Sequence, residues 1–140
     1  MSMQDPLLWQ PGQELPTLTL EPVTRLALIK YAGASCDFNP IHTIDQAATD
    51  AGLPGIIQHG MLTMASIARL FSPHLASGFI QHYDIRFTGM VFLHDVLTIS
   101  GTITTVEQTT FAVAYHCDVS ATNQHGKAVA TGTITFQVTD

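Results

Sequence analysis

Two hydrophobic periods divide this chain. Up to about residue 72 the apolar residues recur in short blocks at helical spacing, and from residue 79 they alternate with polar ones. Pro6, Pro11, Pro16 and Pro22 predict an extended stretch over residues 6–22 with little helix. Within it the alternation of Thr17, Leu18, Thr19 and Leu20 predicts a short first strand. Thr24 is a good helix cap, and the spacing predicts a helix over 24–33 with Leu26, Leu28 and Ile29 as its apolar contacts. A second short helix is expected over 44–51, ended by Gly52 and Pro54. The most helical segment is 60–72. Its Met61, Leu62, Met64, Ala65, Ile67, Ala68, Leu70 and Phe71 leave only Thr63, Ser66 and Arg69 as a polar stripe. A helix apolar on most of its circumference is expected to be buried on most sides, and Pro73 should end it.

Beyond that helix, Phe79, Gln81, Tyr83, Ile85 and Phe87 alternate with His82, Asp84, Arg86 and Thr88. Leu97, Ile99 and Ile103 form the next apolar set, then Phe111, Val113, Tyr115, Cys117 and Val119, then Ile134, Phe136 and Val138. These read as half-buried strands joined by turns at Val106-Glu107-Gln108-Thr109 and Asn123-Gln124-His125-Gly126. Short connections make neighbouring strands antiparallel. The economical packing wraps such a sheet around the apolar helix, an α+β architecture, with residues 1–140 as a single domain.

Composition narrows the possibilities. Charged residues are 11% of the chain against 46% hydrophobic, well below the roughly 25% charged of an average domain. An oligomer that hides part of its surface would explain the shortfall. Net charge is −6 with only five Lys and Arg, which argues against nucleic-acid binding and against an anionic membrane surface. The longest apolar runs are too short to span a bilayer, and the polar opening at Met1 to Pro6 is not that of a secretory leader. Cys36 and Cys117 are isolated and read as reduced thiols of a cytoplasmic protein.

Candidate chemistry concentrates in Asp37-Phe38-Asn39-Pro40-Ile41-His42. Pro40 sets its own φ and pushes Asn39 away from helical geometry. The chain must turn there, so Asp37 and His42 can face one point and together hold and deprotonate a water. On these residues alone a plainer alternative stands: Asp37 caps the turn and His42 satisfies a backbone carbonyl. Asn39 is expected to shape the turn, His59 to cap or orient the next helix, and Tyr31 to pack with its hydroxyl bonded. His74, His82, His94, His116 and His125 are expected at the surface or on a sheet face. Asp84 and Arg86 share a strand face. His42 and His59 lack a metal-ligand spacing, and no glycine-rich phosphate loop is present.

The turn is followed by Ile57-Gln58-His59-Gly60-Met61-Leu62. Together the two motifs, with Ala47 and Ala48 between them and Asp84-Ile85-Arg86-Phe87 later, resemble the MaoC-like hot dog dehydratases. That family includes (R)-specific enoyl-CoA hydratases and small hydroxyacyl-thioester dehydratase subunits of fatty-acid elongation. The resemblance implies a hot dog fold and Asp37 and His42 as the catalytic pair. It places Gly60 at the oxyanion hole, at the start of the central helix. It implies an acyl-CoA or acyl carrier protein thioester as substrate; Asn39, Met61 and Met64 are the candidate substrate contacts, the two methionines as core or as lining of an acyl pocket, and neither a metal nor another cofactor is expected. It also implies a homodimer or a paired hot dog subunit. Two positions depart from the family pattern. Cys36 stands where glycine is usual, and Ala68 stands near a serine that supports the catalytic aspartate in some (R)-hydratases, with Ser66 the closest hydroxyl. Two other functions fit the same fold: a hot dog acyl-CoA thioesterase, and an acyl-binding subunit of a heteromeric dehydratase.

Overall fold

The computed structural model describes residues 6–139, the side chain of Leu7 excepted, so the polar opening at residues 1–5 lies outside it. The chain begins with a 3-10 turn, Pro6–Leu8, and runs extended along the sheet edge. Strand β1 is short, Leu18–Thr19, and pairs with β3 (Thr98–Gln108). Ahead of it, Leu15 N donates to the Gly101 carbonyl at 2.9 Å. Trp9 pins this prolines-rich stretch. It is buried among the rings of Phe71 and Tyr115, a contact that no local periodicity announces.

Helix α1 spans Arg25–Ser35, with the Thr24 side chain accepting from Ala27 N as expected of a cap. It runs past Gly33 and ends at Cys36 in the left-handed conformation, φ 59°. Helix α2 is Asp45–Asp50, followed by Gly52 at φ 82°. Helix α3 is Gly60–Ala68, and the chain then tightens into a 3-10 segment, Arg69–His74, that carries Pro73. The expected single helix over 60–72 is therefore two pieces. Pro73 cannot donate to a carbonyl one α-turn back, and the tighter winding avoids that clash.

The remaining strands are β2 (Gly78–Phe87), β4 (Ala112–Thr122) and β5 (Ala128–Thr139). The sheet has five antiparallel strands in the order β1-β3-β4-β5-β2. It curls around α3, whose Ile67, with Leu70 and Phe71 beyond it, packs against Ile99, Ile103, Cys117, Ile134 and Phe136. This is the expected hot dog arrangement, a sheet wrapped around one helix.

Three expectations about faces need correction. A bulge between Ile80 and His82 adds a residue to β2, so Ile80, Tyr83 and Ile85 face inward and Phe79 falls on the outside. The first hairpin turns later than expected. β3 continues to Gln108, and Thr109 closes the turn by bonding Ala112 through both its amide and its hydroxyl, which leaves Phe111 80% exposed at the tip. In α3 it is Thr63 that is buried, held by Gln58 Nε2 at 2.8 Å, while Met61 is 58% exposed. The Asn123–Gly126 region turns as expected, with Gly126 at φ 76° and Asn123 Oδ1 accepting from the amides of His125 and Lys127.

Candidate active site

The loop that leaves α1 is held by its own side chains. Ser35 Oγ donates back to the Tyr31 carbonyl at 2.7 Å and accepts from Asp37 N at 3.2 Å. Asp37 Oδ1 accepts from Asn39 N at 3.2 Å, and Asn39 Oδ1 from Ile41 N at 3.3 Å. These are successive Asx-type turns, in which short polar side chains replace the missing helix or strand partners. Pro40 then opens a 3-10 turn, Pro40–His42, and carries His42 around to face Asp37.

His42 Nδ1 lies 2.7 Å from the carbonyl of Ile57. A carbonyl only accepts, so Nδ1 carries a proton, and in the neutral form of the ring Nε2 is the bare lone pair. That Nε2 is 3.8 Å from Asp37 Oδ2. The gap is too long for a hydrogen bond and suits a water that donates to both atoms. The His42 side chain is 9% exposed and the Asp37 side chain 48%. The pair is thus anchored below and open above. Both halves of the plainer alternative hold alongside this geometry. Asp37 does brace the turn through Oδ1, and His42 does satisfy a carbonyl, yet each keeps one acceptor atom free.

Beneath the pair lies His59, 1% exposed. Its ring stacks on that of His42 with centroids 3.9 Å apart and planes 22° apart, and Tyr31 meets it edge-on at 4.8 Å. His59 Nε2 is 3.3 Å from the backbone oxygen of Asp37. His59 occupies the N-cap position of α3 but makes no capping bond with its side chain; its ring turns toward the 37–42 loop instead. Gly60 follows one peptide later. The first amides of a helix have no intrahelical acceptor, so the Gly60 N–H is free to serve a ligand. The Phe87 ring covers the Gly60 Cα closely enough that a Cβ there would sit 3.1 Å from the ring edge.

A family model, described as a MaoC like domain, matches residues 9–135. This chain belongs to the MaoC-like dehydratase family. It is 41% identical over 73 residues to a fatty acid synthase subunit beta of Aspergillus oryzae, a stretch that is 49% of this chain and 4% of that one. It is 34% identical over 71 residues to 3-hydroxyacyl-thioester dehydratase X of Mycobacterium tuberculosis, covering 51% of this chain and 25% of that protein. The chain therefore spans only a small part of these curated relatives. Its fold matches the (R)-hydratase from A. caviae involved in PHA biosynthesis, with TM-score 0.84, 21% identity, and 94% and 98% of the two chains covered.

In this MaoC-like domain the structure brings Asp37, Asn39 and His42 together in one turn, with Gly60 joined to them through His59. Met61 lies on the outward side of α3. Met64 is half-buried, and its backbone carbonyl accepts from Tyr83 Oη of β2 at 2.6 Å. Ser66 Oγ bonds the Leu62 carbonyl of its own helix at 2.8 Å and gives Asp37 no support. A cavity of about 360 Å³ lies on the other flank of α3, lined by Thr24, Ala27, Gln58, Leu62, Ser66 and Arg69 among others. Asp37, His42 and Gly60 do not line it.

The sequence carries no metal-ligand spacing, and the geometry bears on that point. Asp37, His42 and His59 each offer a donor atom within 4.8 Å of the others. A metal must lie in the plane of each ligating imidazole, about 2.1 Å from nitrogen. Ring planes inclined by 22° and stacked face to face meet far beyond that reach, which disfavours one ion held by both imidazoles. Both cysteines are free: Cys36 is exposed at the turn and Cys117 is buried in the sheet core. Burial, with Asp118 nearby, pushes the Cys117 thiol up to about 12. No helix among the described residues is long and apolar enough to cross a membrane.

Two parts of this site were not legible in the motif. The Ile57 carbonyl that sets the His42 tautomer is a backbone group and leaves no residue signature. The alternation of β2 does not mark Phe87 as a neighbour of Gly60; only the curl of the strand brings them together.

Proposed function

We propose that this chain hydrates 2-enoyl thioesters to (R)-3-hydroxyacyl thioesters, and catalyses the reverse dehydration, in fatty-acid metabolism. The thiol carrier is CoA or acyl carrier protein. The observation that carries the proposal is the pair of free acceptors, Asp37 Oδ2 and His42 Nε2, set 3.8 Å apart. A water donating one hydrogen to each has its oxygen lone pair left to attack C3. Asp37 takes the proton as the C–O bond forms. The C2=C3 electron pair moves toward the thioester carbonyl, whose oxygen gains negative charge. The Gly60 amide and the positive end of α3 stabilise that oxygen. The Asp37–His42 pair then returns a proton to C2, which balances the addition. The name of one relative, a 3-hydroxyacyl-thioester dehydratase, supports this chemistry, and the (R)-hydratase that shares the fold is the reason for proposing this hand of product.

We further propose that the working unit is a homodimer joined at β2. This strand is at the sheet edge, with Phe79 and Phe87 each 48% exposed, and the outward face of α3 beside it carries the 58% exposed Met61. A second copy would close the site over the half-exposed Asp37.

Asp37→Asn and His42→Ala should each lower kcat toward crotonyl-CoA by at least about a hundredfold with the circular dichroism spectrum unchanged. Near wild-type turnover in a folded Asp37→Asn variant would remove that residue from the mechanism. Release of free thiol from acyl-CoA outpacing crotonyl-CoA hydration would make the protein a thioesterase instead.

A further inference from the structure

We propose that His59 is a positioning residue for the Asp37–His42 pair, acting as a neutral imidazole whose tautomer is opposite to that of His42. The inference rests on the hydration proposal for its catalytic meaning, although its geometry stands independently.

Asp37 is held by local bonds on every side but one. Its amide donates to Ser35 Oγ, and its Oδ1 accepts from Asn39 N, both within the same turn. Among the described residues, the hydrogen bond that reaches Asp37 from a distant part of the chain comes from His59 Nε2 to the Asp37 carbonyl, 22 positions away in sequence. Because a carbonyl only accepts, Nε2 carries the proton. Nδ1 is then a bare lone pair, buried and without a hydrogen-bond partner. Buried polar atoms are nearly always paired, and an exception asks for a reason.

The surroundings supply one. The titratable groups facing His59 are Tyr31 from α1, Asp37 from the turn and His42 from the 3-10 turn. Burial and the adjacent His42 hold the His59 pKa below its ordinary value, so the ring stays neutral. A neutral ring can lie flat against His42 without repelling it if His42 gains charge during turnover. An imidazole combines a flat face for the stack with an N–H at the distance of the Asp37 carbonyl. Phenylalanine offers only the face, and glutamine only the donor. The unpartnered Nδ1 follows from that choice: one nitrogen does the holding and the other is left over.

The test uses His59→Phe and His59→Gln, each alone and in the Asp37→Asn background. With crotonyl-CoA, His59→Phe should lower kcat on the order of tenfold to a hundredfold, with KM changed less than about threefold. His59→Gln should recover much of that loss. In the Asp37→Asn background, His59→Phe should cost less than about twofold, because the group it positions is already disabled. Equal losses in both backgrounds, or unchanged turnover in folded His59→Phe, would overturn the proposal.

Imidazole ¹⁵N spectra of the wild type give a readout independent of activity. They should show His42 protonated at Nδ1 and His59 at Nε2; the same tautomer at both would also overturn it. The Phe38 amide, which shares a peptide group with the Asp37 carbonyl, should shift in His59→Phe and return in His59→Gln. If the wild type hydrates no 2-enoyl thioester, the hydration proposal falls by itself, and the Phe38 amide still decides whether His59 holds Asp37.

Discussion

Cys36 shows how much one backbone angle can decide. It sits at φ 59°, where an L side chain crowds the following carbonyl, and it is the residue before Asp37. The place where the family resemblance leads one to expect glycine is thus a left-handed position in this chain, occupied by a strained cysteine. Cys36→Gly should relieve roughly 1–2 kcal/mol of strain and lose about 0.4–1 kcal/mol to the freer unfolded chain. A modest net gain in urea stability is expected, with the turn unchanged. A loss of stability would mean that the thiol makes a contact worth more than the strain. His59 makes a second prediction at this scale. Its folded pKa lies below the ordinary 6.5, so the unfolded chain binds the proton more readily. Stability from this residue is complete above pH 6.5 and declines as pH falls from there toward the lower folded value. Urea midpoints measured at successive pH values should slope downward on acidification over that range, and the slope should flatten in His59→Gln.

At the scale of elements, the site depends on a segment that is neither helix nor strand. Residues 56–59 bring the Ile57 carbonyl to His42 and His59 to Asp37. They are themselves fastened by Gln58 N to the Val91 carbonyl at 2.8 Å and by a bridge between Ile57 and Phe92. The loop after Val91 is braced by the buried Asp95, whose oxygens accept from Phe92 N and from Gln124 Nε2, both at 2.9 Å. A turn between β4 and β5 therefore supports the floor of the candidate site through one carboxylate. Asp95→Ala leaves those two donors unsatisfied and should cost about 1–3 kcal/mol. The urea midpoint should fall accordingly. A midpoint within error of wild type would show that water replaces the carboxylate without loss. The bulge in β2 acts on the same scale, since one extra residue turns Phe79 outward while Phe87 still reaches Gly60.

Across the whole molecule, the unpaired side of β2 is the feature that asks for a partner. An edge strand with half-exposed phenylalanines at both ends is prone to pair with another edge. The low charged fraction of 11% points the same way. The purified chain should sediment as a dimer. Phe79→Asp, which puts a charge on the half-exposed edge of β2, should shift the mass toward monomer and reduce crotonyl-CoA turnover together. A monomer with full activity would contradict both the assembly and the need for a second copy at the site.

The linear chain by itself determined which period each half follows, hence one apolar helix and an antiparallel sheet, because periodicity depends only on which face must be dry. It also determined that Asp37 and His42 flank a turn, since Pro40 and the Asx side chains act within a few residues. What only the tertiary structure decided lies in contacts between distant segments. The strand bulges, Thr63 facing inward and Met61 outward, the proton on His42 Nδ1, and the His59 ring beneath the pair are of this kind. A backbone carbonyl or a stacked ring has no sequence signature of its own, and it becomes a chemical partner only when folding brings it within about 3 Å.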